Sequence, residues 1–181
     1  MKYGVIVETI SAAALAAGLP EGRVIDRTVG DNITLKRPRL ELQVLKERFT
    51  RTGRKLGIRR ESGEKVRKRE LYDVELPVAA QVYAEDQEWL DAFADAFAAA
   101  FPPGVNDEKG NWLKIRVQEA ELQRPPDTRL GDKVIQAFKK IDKLFTVAFT
   151  WRVTEEERVA WIREITINVS MGAHHGDEKE N

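Results

Sequence analysis

The segment RELYDVELPVAAQVYAEDQEWLDAFADAFAAAFPPG, Arg69 to Gly104, changes its hydrophobic period midway, and that switch restricts the fold more than any other feature of the chain. In its first half Tyr72, Val74, Leu76, Val78, Ala80 and Val82 alternate with Asp73, Glu75, Pro77, Ala79, Gln81 and Tyr83. This is the period of a strand with one face in a core. Pro77 has no N–H to give a ladder, so the strand is expected to lie at a sheet edge near that point or to bend there. Asp86 then offers a side-chain oxygen to free helix amides, and Leu90, Phe93, Ala94, Phe97 and Phe101 recur at helical spacing until Pro102, Pro103 and Gly104 stop the run. At ~1.5 Å per residue the helix is about 24 Å long, enough to cover much of a small sheet.

Other period-two segments flank this unit. RLELQVLKERF, Arg39 to Phe49, sets Leu40, Leu42 and Val44 against Glu41 and Gln43, and leads into the glycine-punctuated basic hairpin or loop RTGRKLGIRRESGEK. After the turn GVNDEKGN, the strand NWLKIRVQEAEL sets Leu113, Ile115 and Val117 against Lys114, Arg116 and Gln118. QRPPDTRLGDK reads as a loop and KVIQAFKK as a weaker strand, while DKLFTVAFTWRVT aligns Phe145, Val147, Phe149, Trp151 and Val153 on one face. TEEERVAWI is expected to make a turn of helix, and REITINVSMG a last strand with Ile165, Ile167 and Val169 inward. The expected fold is α+β: a mostly antiparallel sheet packed against one long amphipathic helix. Residues 1–38 read as an N-terminal arm or helix-containing segment, 39–172 as the assembly domain, and 173–181 as a disordered tail. The N-terminal run VIVETISAAALAAGL is broken by Glu8, Thr9 and Ser11, is too short to span a bilayer, and lacks the strongly basic start of a signal peptide.

At 181 residues and 42% hydrophobic content, one core can be filled. Thirty basic and thirty acidic residues cancel, but the signs are segregated. Lys46 to Arg69 carries eleven basic residues against Glu47, Glu61 and Glu64, whereas Glu85 to Lys109 carries seven acidic residues against Lys109 alone. Three readings follow. The runs are two solvated faces; or Arg54, Arg59, Arg60 and Arg67 of one subunit meet Glu88, Asp91 and Asp95 of the next in a ring; or Arg51, Arg54, Lys55, Arg59 and Arg60 contact phosphates in a nucleic-acid-binding module. Against the last, the basic segment has no aromatic between Phe49 and Tyr72 on which a base could stack.

Conventional chemistry finds little support. The chain has no cysteine, which excludes a disulfide framework and a thiolate site and fits a reducing cytoplasm. No Gly-Lys-Ser/Thr phosphate loop, GxSxG or HExxH is present. His174 and His175, beside Asp177 and Glu178, offer a weak metal-binding patch in a segment whose composition favours a disordered tail. Asp91 and Asp95 lie one turn apart, but they alternate with Ala and Phe as the wet side of an amphipathic helix does. Trp89, Trp112, Trp151 and Trp161 read as core and interface anchors, Trp112 from the polar face of its strand. No catalytic, metal or cofactor residue is expected.

The segment LYDVELPVAAQVYAEDQEWLDAFADAFAAAFPPG, followed by NWLKIRVQEAEL and LFTVAFTWRVT, resembles the tail-terminator or tail-completion proteins of tailed bacteriophages. The resemblance covers roughly Arg39 to Gly172, is one of pattern, and does not extend to Met1–Pro38 or to the basic segment. It implies a non-enzymatic virion protein of the tail or neck, made in the host cytoplasm, forming a homo-oligomeric ring that is usually six-membered in that family. The implied partners are the tail-tube or sheath protein and the head-tail connector, with weak nonspecific DNA contact and no membrane.

Overall fold

The computed structural model describes residues 2–27, 35–61, 64–123, 128–130, 133–135 and 141–160. Helix α1 (Lys2–Ala16) precedes strands β1 (Val24–Asp26), β2 (Arg39–Val44), β3 (Arg48–Arg51), β4 (Lys55–Glu61) and β5 (Glu64–Ala84). Helix α2 (Gln87–Ala100) follows, then β6 (Gly104–Asn106), β7 (Trp112–Gln123), β8 (Thr128–Leu130), β9 (Lys133–Ile135) and β10 (Ile141–Ala160). The class is α+β and mostly sheet, but two helices share the covering role expected of one. The sheet is also mixed, because β1 runs parallel to β2.

Its order is β1-β2-β5-β10-β7-β6, with β3 and β4 also paired to β5, so one edge of that long strand is covered in three pieces. The expected single strand from Arg39 to Phe49 is therefore split into β2 and β3. Pro77 explains the break. The Leu45 N–H donates to the Pro77 carbonyl at 3.0 Å, and the return bond is impossible because proline has no N–H, so β2 ends there and β3 takes up the ladder at Glu75. The proline thus sits in a central strand, opposite the gap between two shorter ones.

Both helices add to one hydrophobic cluster on one face of the sheet. Ile6, Ile10, Ala13 and Ala14 from α1 and Leu90, Phe93, Ala94 and Phe97 from α2 join Val74, Val78, Val82, Leu113, Phe145, Val147 and Phe149. Leu76 and Val117 pack against it while staying partly buried. The Asp86 carboxylate caps α2 by accepting the Glu88 N–H at 3.0 Å. Trp89, Phe93, Phe97 and Phe101 then form consecutive ring contacts, and Phe97 also meets Phe145 edge-on at 5.1 Å between centroids.

The expected turn of helix after Val153 is instead strand: Thr154–Ala160 continues β10, laddered against Glu64–Glu70. β8 and β9 form a separate small hairpin where a loop and a longer strand were expected. Trp161, the expected strand REITINVSMG and the histidine-bearing tail lie outside the described residues.

Candidate functional site

β5 and β10 pair over twenty residues of β10, about 66 Å at ~3.3 Å per residue, which exceeds what two helices can cover. Beyond a bulge at Leu71, where Val153 pairs with Tyr72 but Thr154 with Glu70, the ribbon leaves the core as a three-stranded arm of β4, the start of β5 and the end of β10. Among the described residues no strand pairs with the outer edge of β4, nor with β10 beyond Thr150 on the side away from β5. Unpaired edges of this kind are templates for another chain.

Directly opposed residues share a face, so Ile58, Arg67, Glu157 and Val159 lie on the arm's continuation of the core face. No described helix reaches them: Ile58 is 60% exposed and Val159 36%. Part of the basic run is met within the chain by Glu156 and Glu157. Arg59 approaches Glu156 at 3.4 Å, Arg67 and Arg69 approach Glu157 at 3.8 and 3.4 Å, and Arg158 approaches Glu64 at 3.8 Å. Most of these side chains are half exposed, so each pair is worth about 0–1 kcal/mol.

The acidic residues of α2 lie at the other end of the ribbon. Asp91 approaches Lys143 at 3.7 Å and accepts from the Gln87 amide at 2.9 Å, while Glu88 and Asp95 are exposed. Lys143 and Glu156 are thirteen residues apart on β10, about 43 Å. Within one subunit the structure therefore does not bring Arg54, Arg59, Arg60 and Arg67 together with Glu88, Asp91 and Asp95. Of the candidate phosphate contacts, Lys55, Arg59 and Arg60 lie on the exposed outer strand β4, Arg51 ends β3, and Arg54 is in the connection between them. Register sets Arg59 opposite Val66 and Arg60 opposite Lys65, on alternate faces, so these residues do not converge on one site.

The face of the sheet away from the helices carries two polar regions. At the β2 end Glu41 receives Arg27 Nε at 2.9 Å, Arg27 Nη2 at 3.0 Å and Arg39 Nε at 2.8 Å. Burial opposes the Glu41 carboxylate, but these hydrogen bonds prevail and hold its pKa below the ordinary value. Nearby, Arg37 Nη1 lies 3.0 Å from Asp142 Oδ1, off the line a hydrogen bond needs, and burial outweighs that attraction and pushes the Asp142 carboxyl up. Arg39 stacks over Tyr83 at 4.1 Å from its centroid. This region largely satisfies itself.

The second region is a cleft of about 610 Å³ between the arm's base and the β6–β7 turn. Lys68, Asp73, Lys114, Arg116, Thr150, Arg152 and Thr154 line it, with Gly110, Asn111 and Trp112 at the turn. The turn is held by Asp107, which accepts the N–H groups of Lys109 and Asn111 at 2.9 and 2.7 Å and the Asn111 side-chain amide at 2.9 Å. Those bonds, led by the Asn111 side chain and opposed by burial, keep its carboxyl below the ordinary range. Gly110, at φ +78°, supplies the left-handed residue that closes the turn. Periodicity alone marked Lys114 and Arg116 only as the wet face of β7; the alternation Trp112-x-Lys114-x-Arg116 was the available signal.

No family model matches the sequence, and no curated protein matches it. No helix among the described residues is long and apolar enough to cross a membrane. Among the same residues no cluster of His, Asp and Glu could hold a metal ion.

Proposed function

We propose that this chain is a structural protein that assembles with copies of itself, as a phage tail terminator or tail-completion protein would. The observation that supports this best is the arm: two long strands carried past their core, with Ile58 and Val159 uncovered and both outer edges without a described partner strand. A chain that carries seven residues of β10, Thr154–Ala160, past its core in a projection of this kind has a surface suited to another protein. The arm and the acidic end of α2 lie at opposite ends of the ribbon, and a head-to-tail ring needs its two complementary patches separated in this way. Because Arg59, Arg67 and Arg69 of the arm already have carboxylates beside them, charge sets orientation between subunits and apolar contact and edge pairing supply most of the affinity. In the virion, the ring would meet a tail tube or sheath on one side and a head connector on the other.

Sedimentation measured across a concentration series tests the reading. A closed oligomer of defined mass is expected, weakened by Ile58→Asp and by reversal of Asp91 and Asp95 to Lys. Arg59→Glu with Arg60→Glu is expected to restore part of the second loss. A chain that stays monomeric at every concentration, and that also fails to sediment with a tail-tube protein, would remove the support for it.

A further inference from the structure

We propose that the cleft at the base of the arm binds single-stranded nucleic acid. The cleft has four cations, Lys68, Lys114, Arg116 and Arg152, against one lining carboxylate, Asp73. Arg152 is shared with the buried Glu70, whose Oε2 lies 3.2 Å from Arg152 Nε without an aligned hydrogen bond. Lys68, Lys114 and Arg116 make no ion pair with any described residue. A concave surface with that balance focuses a positive potential.

Register orders these cations along a track. Arg116 stands opposite Ala148 and Lys114 opposite Thr150 on β10; Arg152 follows two residues on, and Lys68 stands opposite Glu156. From Ala148 to Glu156 is eight residues, so the stripe is about 27 Å long, with successive cations on a strand about 7 Å apart. It crosses from β7 to β5, about 10 Å at ~4.8 Å per strand spacing. Of the carboxylates flanking the track on this face, Glu156 lies beside Arg59 and Glu75 beside Arg48, while Glu119, opposite Thr146 just past Arg116, is exposed and makes no ion pair with a described residue.

What favours a nucleic acid over an acidic protein segment is Trp112. A Cβ on Gly104 would meet two atoms of the Trp112 ring at 2.4 and 2.5 Å, so the indole packs closely against the glycine. The residue is nevertheless 53% exposed at the cleft's edge. An aromatic ring packed on backbone and half exposed beside a row of cations is the arrangement that stacks an unpaired base while its backbone follows the charges. The basic segment lacks such a platform in sequence, and the fold supplies one from a strand more than forty residues away.

The test uses the full chain with a labelled oligothymidylate, a duplex of equal length and a polyglutamate of equal charge, compared by anisotropy. The single strand is expected to bind best, with log affinity falling linearly in log salt between about 50 and 200 mM. Lys114→Ala and Arg116→Ala should each flatten that slope by about 0.7, the value for one phosphate contact on a single strand. Trp112→Leu should lower affinity about tenfold or more at unchanged slope. Repeating the titration with Asp91 and Asp95 reversed to Lys separates binding from assembly, and the affinity should persist. No binding at low salt, equal binding of duplex and single strand, preference for polyglutamate, or unchanged slopes in the Lys114 and Arg116 variants would each overturn the assignment.

Discussion

The same two strands, β5 and β10, behave differently in their two halves. Between Tyr72 and Ala84 the ribbon lies under two helices, and Val74, Val78, Val82, Val147 and Phe149 are almost completely buried. Between Glu64 and Glu70 it has the same ladder and alternation, yet Val66 and Glu70 alone are buried on β5. Hydrogen-bonded pairing is common to both halves; only the covering layer differs. Stability is therefore concentrated in the first half, and the second is available for contacts outside the chain.

Phe97→Ala should reveal the largest difference. Phe97 is fully buried and touches Phe93, Phe101 and Phe145, so its truncation should cost about 3–5 kcal/mol in denaturant unfolding. Ile58→Ala, in the arm and 60% exposed, should cost no more than about 0.5 kcal/mol. Comparable losses at both sites would mean that the arm is part of the cooperative core.

Next is Gly104→Ala, at the far edge of the covered half. The new methyl would lie 2.5 Å from the Leu113 carbonyl oxygen as well as against the Trp112 ring. The backbone atom cannot swing away, so a cost of about 1–3 kcal/mol is expected, only partly relieved by Trp112→Ala. Full relief in the double variant would show that the indole alone made the site tight.

The covered half was legible in sequence because burial imposes a period. The alternation from Tyr72 to Val82, the Asp86 cap and the Leu90-Phe93-Phe97 stripe are local consequences of one core face and reappear in the structure. The arm was less legible. Thr154-Glu-Glu-Glu-Arg has good helix formers, and nothing within it signals that the ladder with Glu64–Glu70 overrides that preference. Helix α1 was legible only as an arm or helix-containing segment: Ile6, Ile10, Ala13 and Ala14 have helical spacing, but its alanine-rich remainder blurs the contrast between faces. The cleft depends on register among β5, β7 and β10, which no single segment encodes.

A smaller effect is expected at the polar cluster of the covered half. Glu41 has its pKa held below the ordinary 4.5, so it stabilises the fold above that value and the contribution is lost as pH falls through the folded pKa. Asp142, pushed above 3.8, has the opposite sign: its charged form weakens the fold, and protonation relieves it. Glu41→Gln should cost about 1 kcal/mol at pH 7, and the gap to wild type should narrow on acidification below 4.5 in thermal melts. A gap independent of pH would assign the loss to packing of the amide.

The smallest expected effect on stability is in the arm, and it sharpens the comparison most. Arg59 lies 3.4 Å from Glu156 and 3.0 Å from Glu61, with its side chain 57% exposed. Water screens such pairs, so a double-mutant cycle of Arg59→Ala and Glu156→Ala should give a coupling of about 0–1 kcal/mol, shrinking with added salt. If the arm serves contacts between chains, the same substitutions should alter oligomer mass or its salt dependence while leaving the unfolding midpoint nearly fixed. That dissociation is not expected at Phe97, where lost packing must first appear as lost stability. A coupling above about 2 kcal/mol would show the pair shielded from water within the monomer. The arm would then be a second, self-sufficient unit of the fold, and the contrast between the two halves of the ribbon would fail.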